Sequence, residues 1–204
     1  LFLGLRSPKK HSLLSVNEHF EGECNNKRAF LVSFILFIII LYTMKSIENS
    51  RIEVPKDPMG QAIHDFYHTG KAGKLRVMSS MFYEDEIPVA TLFRSFEEMP
   101  IQEQKAIELC RGKVLDVGAG SGCHSIVLKE RGFDVSAIDI SQLSVDVMKE
   151  RGINAMNINF FDETFIEKYD TLLFAMNGIG IVGKTENLDS FFRAARRLLA
   201  PGGQ

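Results

Sequence analysis

Cysteine is scarce in this chain: Cys24, Cys110 and Cys123 are the only three in 204 residues, and they show neither disulfide nor metal-ligand spacing. A disulfide-stapled scaffold and a zinc module are therefore excluded, and a reducing compartment is the natural setting. Charge of one sign is lacking too. The 24 Lys and Arg against 26 Asp and Glu leave a net charge of −2, so nucleic-acid binding through phosphate contacts has no electrostatic footprint and no nucleic-acid partner is expected. No Ser/His/Asp or Cys/His constellation marks a covalent nucleophile. The long apolar run, Ala29 to Tyr42, falls short of the roughly 20 residues that span a bilayer comfortably. Behind Lys27 and Arg28 it suits a signal-peptide core or a short signal anchor, but no small-x-small cleavage site follows. Composition changes at Met44, so residues 1–43 are read as upstream translation read-through or as a membrane anchor. What remains, 45% hydrophobic and 25% charged overall, is the composition of an ordinary globular domain.

The chain does contain Val114-Leu115-Asp116-Val117-Gly118-Ala119-Gly120-Ser121-Gly122, an apolar, β-branched run that ends in glycines. A short run of this kind predicts a buried parallel strand, and glycine lets the backbone turn sharply and approach a ligand. Cys123 to Arg131 then predicts a helix, whose unpaired N-terminal N–H groups complete a cradle for a nucleotide-like ligand. A second apolar strand, Val135 to Ile138, ends at Asp139, where a carboxylate can accept from both hydroxyls of a ribose. A dinucleotide fingerprint would need glycine at position 123 and an apolar residue at 116, so Cys123 and Asp116 argue against a nicotinamide-dependent oxidoreductase.

Asp116-x-Gly118-x-Gly120-x-Gly122 followed by Asp139 resembles the first motif and ribose acid of class I S-adenosylmethionine-dependent methyltransferases. The resemblance covers about residues 57 to 204. It implies an α/β fold, a Rossmann-like three-layer sandwich on a mostly parallel sheet, with only the first four strands present and with covering helices at the N-terminus. It implies S-adenosylmethionine as cofactor, held by Asp116, Gly118, Ala119, Gly120, Gly122, Asp139, Ile140, Phe161, Asp162 and Asn177, with Asp162 against the adenine amino group. Residues 44–112 would form the helical cap and 113–204 the cofactor-binding core. Ala200-Pro201-Gly202-Gly203 is similar to the family's turn into a fifth strand, so the core is read as incomplete at its C-terminus and strand Thr171–Met176 as an open apolar edge.

Upstream, Asp57-Pro58 has the form of a helix start and Gly70 of its stop, with Met59, Ile63, Phe66 and Tyr67 on the inner face. A basic loop (Lys71, Lys74, Arg76) precedes an acidic trio (Glu84, Asp85, Glu86), and a further helix runs from Pro100 to Cys110. From Lys113 onward strands and helices alternate, which predicts a parallel sheet covered on both faces. The last helix carries Leu188, Phe191, Phe192, Ala195, Leu198 and Leu199 on one face.

Methyl transfer from a sulfonium is an in-line displacement that requires no metal and no covalent nucleophile, so the protein mainly positions donor and acceptor. A general base is needed only for an acceptor that must lose a proton, and His64, Tyr67, His68, Tyr83 and Asn177 are candidates by position. His124 is expected to cap or pack. Asn177 lacks a following Pro-Pro-aromatic, which argues against methylation of nucleic-acid adenine. The reading is a cytoplasmic methyltransferase acting on a small molecule; the alternative is a membrane-anchored or non-catalytic S-adenosylmethionine-binding module.

Overall fold

The structure, a computed structural model, describes residues 56–78, 83–176 and 178–204. Asn177 and residues 1–55 lie outside the described residues, and with them the expectations placed there. Helix α1 (Pro58–Thr69) starts at Asp57, whose side chain accepts from the Gly60 N–H at 2.8 Å, and ends at Gly70 in the left-handed conformation. Its buried side is Ala62 and Ile63, with Phe66 packed beside them; Met59 and Tyr67, expected on that face, are exposed. The α1 face meets Leu75, Val89, Leu92 and Val147, which fixes it over the glycine-loop side of the molecule.

The charged stretch after α1 forms an antiparallel hairpin, β1 (Leu75–Val77) with β2 (Asp85–Ile87). The expected basic loop and acidic trio are its two arms: Lys74 pairs with Glu86 at 2.8 Å and Arg76 with Glu84 at 3.1 Å. A short 3₁₀ turn, Val89–Phe93, and helix α2 (Ile101–Leu109) lead into the sheet.

The sheet is parallel, in the order β5 (Asn154–Asn157), β4 (Asp134–Asp139), β3 (Lys113–Val117), β6 (Thr171–Leu173). Buried at nearly every position, β3 is one of the two inner strands, as its continuous apolar run requires. Helices α3 (Cys123–Glu130), α4 (Gln142–Glu150) and α5 (Leu188–Leu198) complete the alternation. Strand β6 is shorter than the expected Thr171–Met176. Phe174 leaves the ladder to join Phe160 and Phe191 at ring-centroid distances of 5.2 and 5.0 Å. The same aromatic cluster orients α5: Phe191, Ala194 and Leu198 are buried, whereas Phe192 is 57% exposed. The predicted stripe is thus displaced at one residue, because Phe192 lies about 100° around the helix from the aromatic that anchors it. Along β6, the Leu172 N–H donates to the Gln204 carbonyl and the Gln204 N–H to the Asp170 carbonyl, both at 2.9 Å.

Gly122, expected to touch the cofactor, lines neither cavity and joins two layers of the fold. It precedes α3 at φ 78°, and a Cβ there would overlap Ile153 Cδ1 and stand 3.0 Å from Met148 Cγ. Gly122→Ala is expected to lower stability by about 2 kcal/mol, from left-handed strain plus displaced core side chains. Urea denaturation measures it, and a loss near zero would show that α3 moves freely over α4.

Candidate functional site

The site grows from the carboxyl ends of β3 and β4, where an open parallel sheet leaves a crevice. The Gly118 and Ala119 N–H groups donate to the Ile138 carbonyl at 2.9 and 3.2 Å, and this folds the glycine loop back across β4. Gly118 and Gly120 adopt φ of 70° and 57°. A Cβ on Gly118 would meet nothing within 4 Å, so its missing side chain opens directly onto empty space. The Asp139 carboxylate accepts from the Gly120 N–H through one oxygen and from the Ser141 N–H through the other, both at 2.9 Å. Burial pushes the Asp139 carboxyl up from the ordinary carboxylate range, while the Ser141 and Gly120 bonds pull it back.

Two adjoining cavities share Val117, Gly118, Asp139 and Ile181 as a common wall. The smaller, about 250 Å³, lies between Ile140 and Phe161, with Asn159 at its edge. The larger, about 670 Å³, runs under α1 and the 3₁₀ turn, past Asp116, Ala119 and Gly120. Helix α1 supplies Met59 and Ile63 to its wall. That helix is fastened by its own cap: Asp57, buried, accepts from the Gly60 N–H and also from the Ser141 hydroxyl, and Ser141 in turn accepts from the Ser144 N–H to cap α4. Ser141 therefore links the N-cap of α1 to Asp139 through one residue.

A buried polar cluster forms part of the wall of the larger cavity. Glu103 accepts from Arg94 Nη2 and lies 2.7 Å from His124 Nε2, while His124 Nδ1 stands 3.5 Å from the Cys123 thiol. His124 is 3% exposed. Burial works against its charge, but Cys123, Asp116 and Glu103 beside it prevail and push it up to about 9. Burial acts to raise Glu103, yet Arg94 and His124 hold it below the usual range. Asp116, 1% exposed, accepts from the Ser125 hydroxyl at 2.7 Å, and desolvation raises its carboxyl.

Of the residues read from sequence, Asp116, Gly118, Ala119, Gly120 and Asp139 line the larger cavity, and Ile140 and Phe161 join Gly118 and Asp139 in the smaller. Asp162 lines neither cavity. Its carboxylate accepts from the Thr164 N–H at 2.9 Å and the Thr164 hydroxyl at 2.8 Å, a local turn that keeps it out of both cavities. His64, Tyr67 and His68 lie outside both cavities as well, with His68 paired to Glu150 at 3.2 Å, and Tyr83 is 98% exposed. His124, expected only to cap or pack, lines the larger cavity with Arg94 and Glu103. That trio joins three separate segments, and the sequence signal for it was one histidine just inside the helix after the glycine loop.

Known proteins resemble this chain over its second half and beyond. Residues 114–203 match a family described as a methyltransferase domain. A methyltransferase from Bacteroides fragilis, described as S-adenosylmethionine-dependent and solved with S-adenosylhomocysteine, is 55% identical, with a TM-score of 0.72 over 75% of this chain and 64% of its own. A cypemycin N-terminal methyltransferase from a Streptomyces species is 33% identical over 94 residues, 44% of this chain and 38% of its own. A ubiquinone biosynthesis O-methyltransferase from Pseudomonas fluorescens is 28% identical over 102 residues, 48% of this chain and 44% of its own. The chain thus spans less than half the length of these curated relatives.

Proposed function

From a chain that belongs to the class I S-adenosylmethionine-dependent methyltransferases, we propose that the two cavities hold S-adenosylmethionine and a small-molecule methyl acceptor. The observation that carries this reading is the position of Asp139. It stands on the wall common to both cavities, bonded to the glycine loop, with carboxylate lone pairs left over for ribose hydroxyls. Ile140 and Phe161 supply apolar walls for a flat adenine. Asn159 takes the place expected of Asp162: its Oδ1 is occupied by the Phe161 N–H at 2.9 Å, which leaves its amide hydrogens to donate to an adenine ring nitrogen. Gly118 and Gly120 admit the ligand against the backbone, and Asp116 faces the amino-acid end.

The cofactor supplies an electrophilic methyl group on a sulfonium. The protein's part is placement and exclusion of water, and the Met59, Ile63, Ile87 and Ile181 side of the larger cavity is apolar enough to do both. The small-molecule acceptor accords with the near-neutral net charge and with relatives named a cypemycin N-terminal methyltransferase and a ubiquinone biosynthesis O-methyltransferase. Catalysis is preferred to a non-catalytic binding module because these relatives are enzymes. Among the described residues no helix is long and apolar enough to cross a membrane. We place the protein in the cytosol, where its cofactor is made and its free cysteines Cys110 and Cys123 stay reduced.

Calorimetric titration is expected to show binding of S-adenosylmethionine and S-adenosylhomocysteine but not of NAD. Asp139→Ala should weaken both by about 1.5–3 kcal/mol, the worth of hydrogen bonds to a charged group, without unfolding the chain. Tight NAD binding in place of S-adenosylmethionine would sink the assignment.

A further inference from the structure

We propose that the methyl acceptor is an uncharged, largely apolar ring compound, and that Met176, held in a backbone conformation methionine rarely adopts, is the wall residue that selects it. The inference rests on the cofactor reading above and names the class of acceptor that the same site takes.

Met176 has a φ of 49°, and among the described residues no other non-glycine residue has a positive φ. The left-handed region is strained for a side chain with a Cβ, and such strain clusters where a ligand is held. The position of Met176 fits that reading. Leu173 of β6 pairs with Asp116 of β3, and Met176 follows three residues later, at the carboxyl end of the sheet where open parallel sheets bind ligands. It lines the larger cavity and not the smaller, so it stands apart from the adenosine half of the cofactor. It is also 43% exposed, a large apolar side chain that gains by being covered.

The rest of the wall narrows the class. Met59 and Ile63 of α1, Ile87 of β2, Leu92 of the first 3₁₀ turn and Ile181 of the turn after β6 bring apolar side chains to the same cavity, and Met59 and Ile181 are exposed there as Met176 is. The polar side chains of the wall are engaged by the protein. The Thr91 hydroxyl donates to the Pro88 carbonyl at 2.6 Å, the Ser121 hydroxyl to the Leu92 carbonyl, and Asp116 accepts from the Ser125 hydroxyl. Arg94, Glu103 and His124 set their charges against one another, and Asp139 is engaged by the ribose in the cofactor reading. An acceptor carboxylate or ammonium would therefore leave water without a matching charge, and a polyol would leave hydroxyls unpaired; both are costly. An apolar ring pays neither cost, and the unbranched thioether side chains of Met59 and Met176 adapt to its face or edge.

The test uses three probes built on one ring system: 2-naphthol, uncharged at neutral pH; 6-hydroxy-2-naphthoate, which adds a carboxylate; and 2-naphthylmethylamine, which carries an ammonium. Calorimetry on the full chain, with S-adenosylhomocysteine saturating, is expected to show 2-naphthol bound about tenfold or more tightly than either charged probe. Met176→Gly is expected to weaken 2-naphthol about three- to tenfold, the worth of part of a buried methionine side chain. Its melting temperature should hold or rise, because glycine adopts the left-handed region without strain. Affinity lost without stability lost marks a residue that faces the ligand; a residue that only packs would lose both. Met176→Asn, which also tolerates that conformation, is expected to show the same loss and serves if the glycine variant fails to fold. A charged probe that binds as tightly as 2-naphthol, no binding of 2-naphthol to the S-adenosylhomocysteine complex, unchanged affinity in the Met176 variants, or a lower melting temperature in both would overturn the proposal. Failure of the parent chain to bind S-adenosylhomocysteine would instead overturn the cofactor reading on which it rests.

Discussion

Gly60→Ala is expected to lower stability by about 3–4 kcal/mol and to weaken cofactor binding, although Gly60 does not line either cavity. The residue sits in the first turn of α1 with ordinary helical geometry, where alanine is normally favoured, so the cost comes entirely from its surroundings. A Cβ there would overlap both Asp57 Oδ2 and Ser141 Oγ and approach Asp57 Cγ at 2.7 Å. Relief requires the Asp57 carboxylate to leave its position. It then gives up the N-cap bond to Gly60, worth about 1 kcal/mol, and the charge-assisted bond from Ser141, worth about 1.5–3 kcal/mol. With its cap undone, α1 no longer holds Met59 and Ile63 against the cavity, and Ser141 loses one of the contacts that orient it beneath Asp139. Chemical denaturation with and without S-adenosylhomocysteine measures both effects. A stability loss under about 1 kcal/mol would mean that Asp57 rotates away without consequence, and that the two capped helices are not coupled.

A second large effect is expected in the dependence of stability on pH. His124 is pushed up in the folded protein to about 9, against an ordinary value of 6.5. The folded state therefore holds a proton that the unfolded chain has released between these values. Stability from this group is fully present below about pH 6.5 and is lost as pH rises through about 9, a change of order 3 kcal/mol. Asp116 and Asp139, both raised by burial, also oppose folding as pH rises, so the parent curve alone does not isolate the histidine. His124→Gln does. It keeps a hydrogen-bonding side chain near Glu103 but cannot titrate, and Glu103 keeps Arg94. Melting temperatures measured from pH 6 to 10 are expected to fall more steeply for the parent, with the two proteins converging at the alkaline end. Parallel curves would show that the Glu103–His124 contact is that of a neutral imidazole.

Much of the frame was written in local sequence, because its determinants lie within a few residues of one another. Asp57-Pro58 and Gly70 bound α1 as expected, and Ser141 caps α4, because a cap needs only a side chain within reach of its own first turn. The run Val114–Val117 becomes an inner strand of a parallel sheet, and positive φ at Gly118, Gly120 and Gly122 follows from residues that lack a Cβ. Asp139 arrives beside the glycine loop because parallel pairing of β3 with β4 sets their carboxyl ends side by side.

What local pattern did not reveal depends on partners distant in the chain. The β1–β2 hairpin has three-residue strands and mostly charged arms, so its pairing appears only as ion pairs across the ladder. Gly122 belongs with the loop by spacing, but Ile153 and Met148 occupy the space beside it and make it a packing residue. Phe192 fits the helical period as well as Ala194 does, and the Phe160–Phe174–Phe191 cluster decides between them. Asp162 binds its own turn at Thr164, a choice between local and distant hydrogen bonds that spacing alone leaves open. The Arg94–Glu103–His124 wall of the cavity is the extreme case. Arg94, Glu103 and His124 come from a turn, α2 and α3, separated by 9 and 21 positions, with no shared motif. Only the packing of those elements against the glycine loop brings their charges within hydrogen-bonding distance.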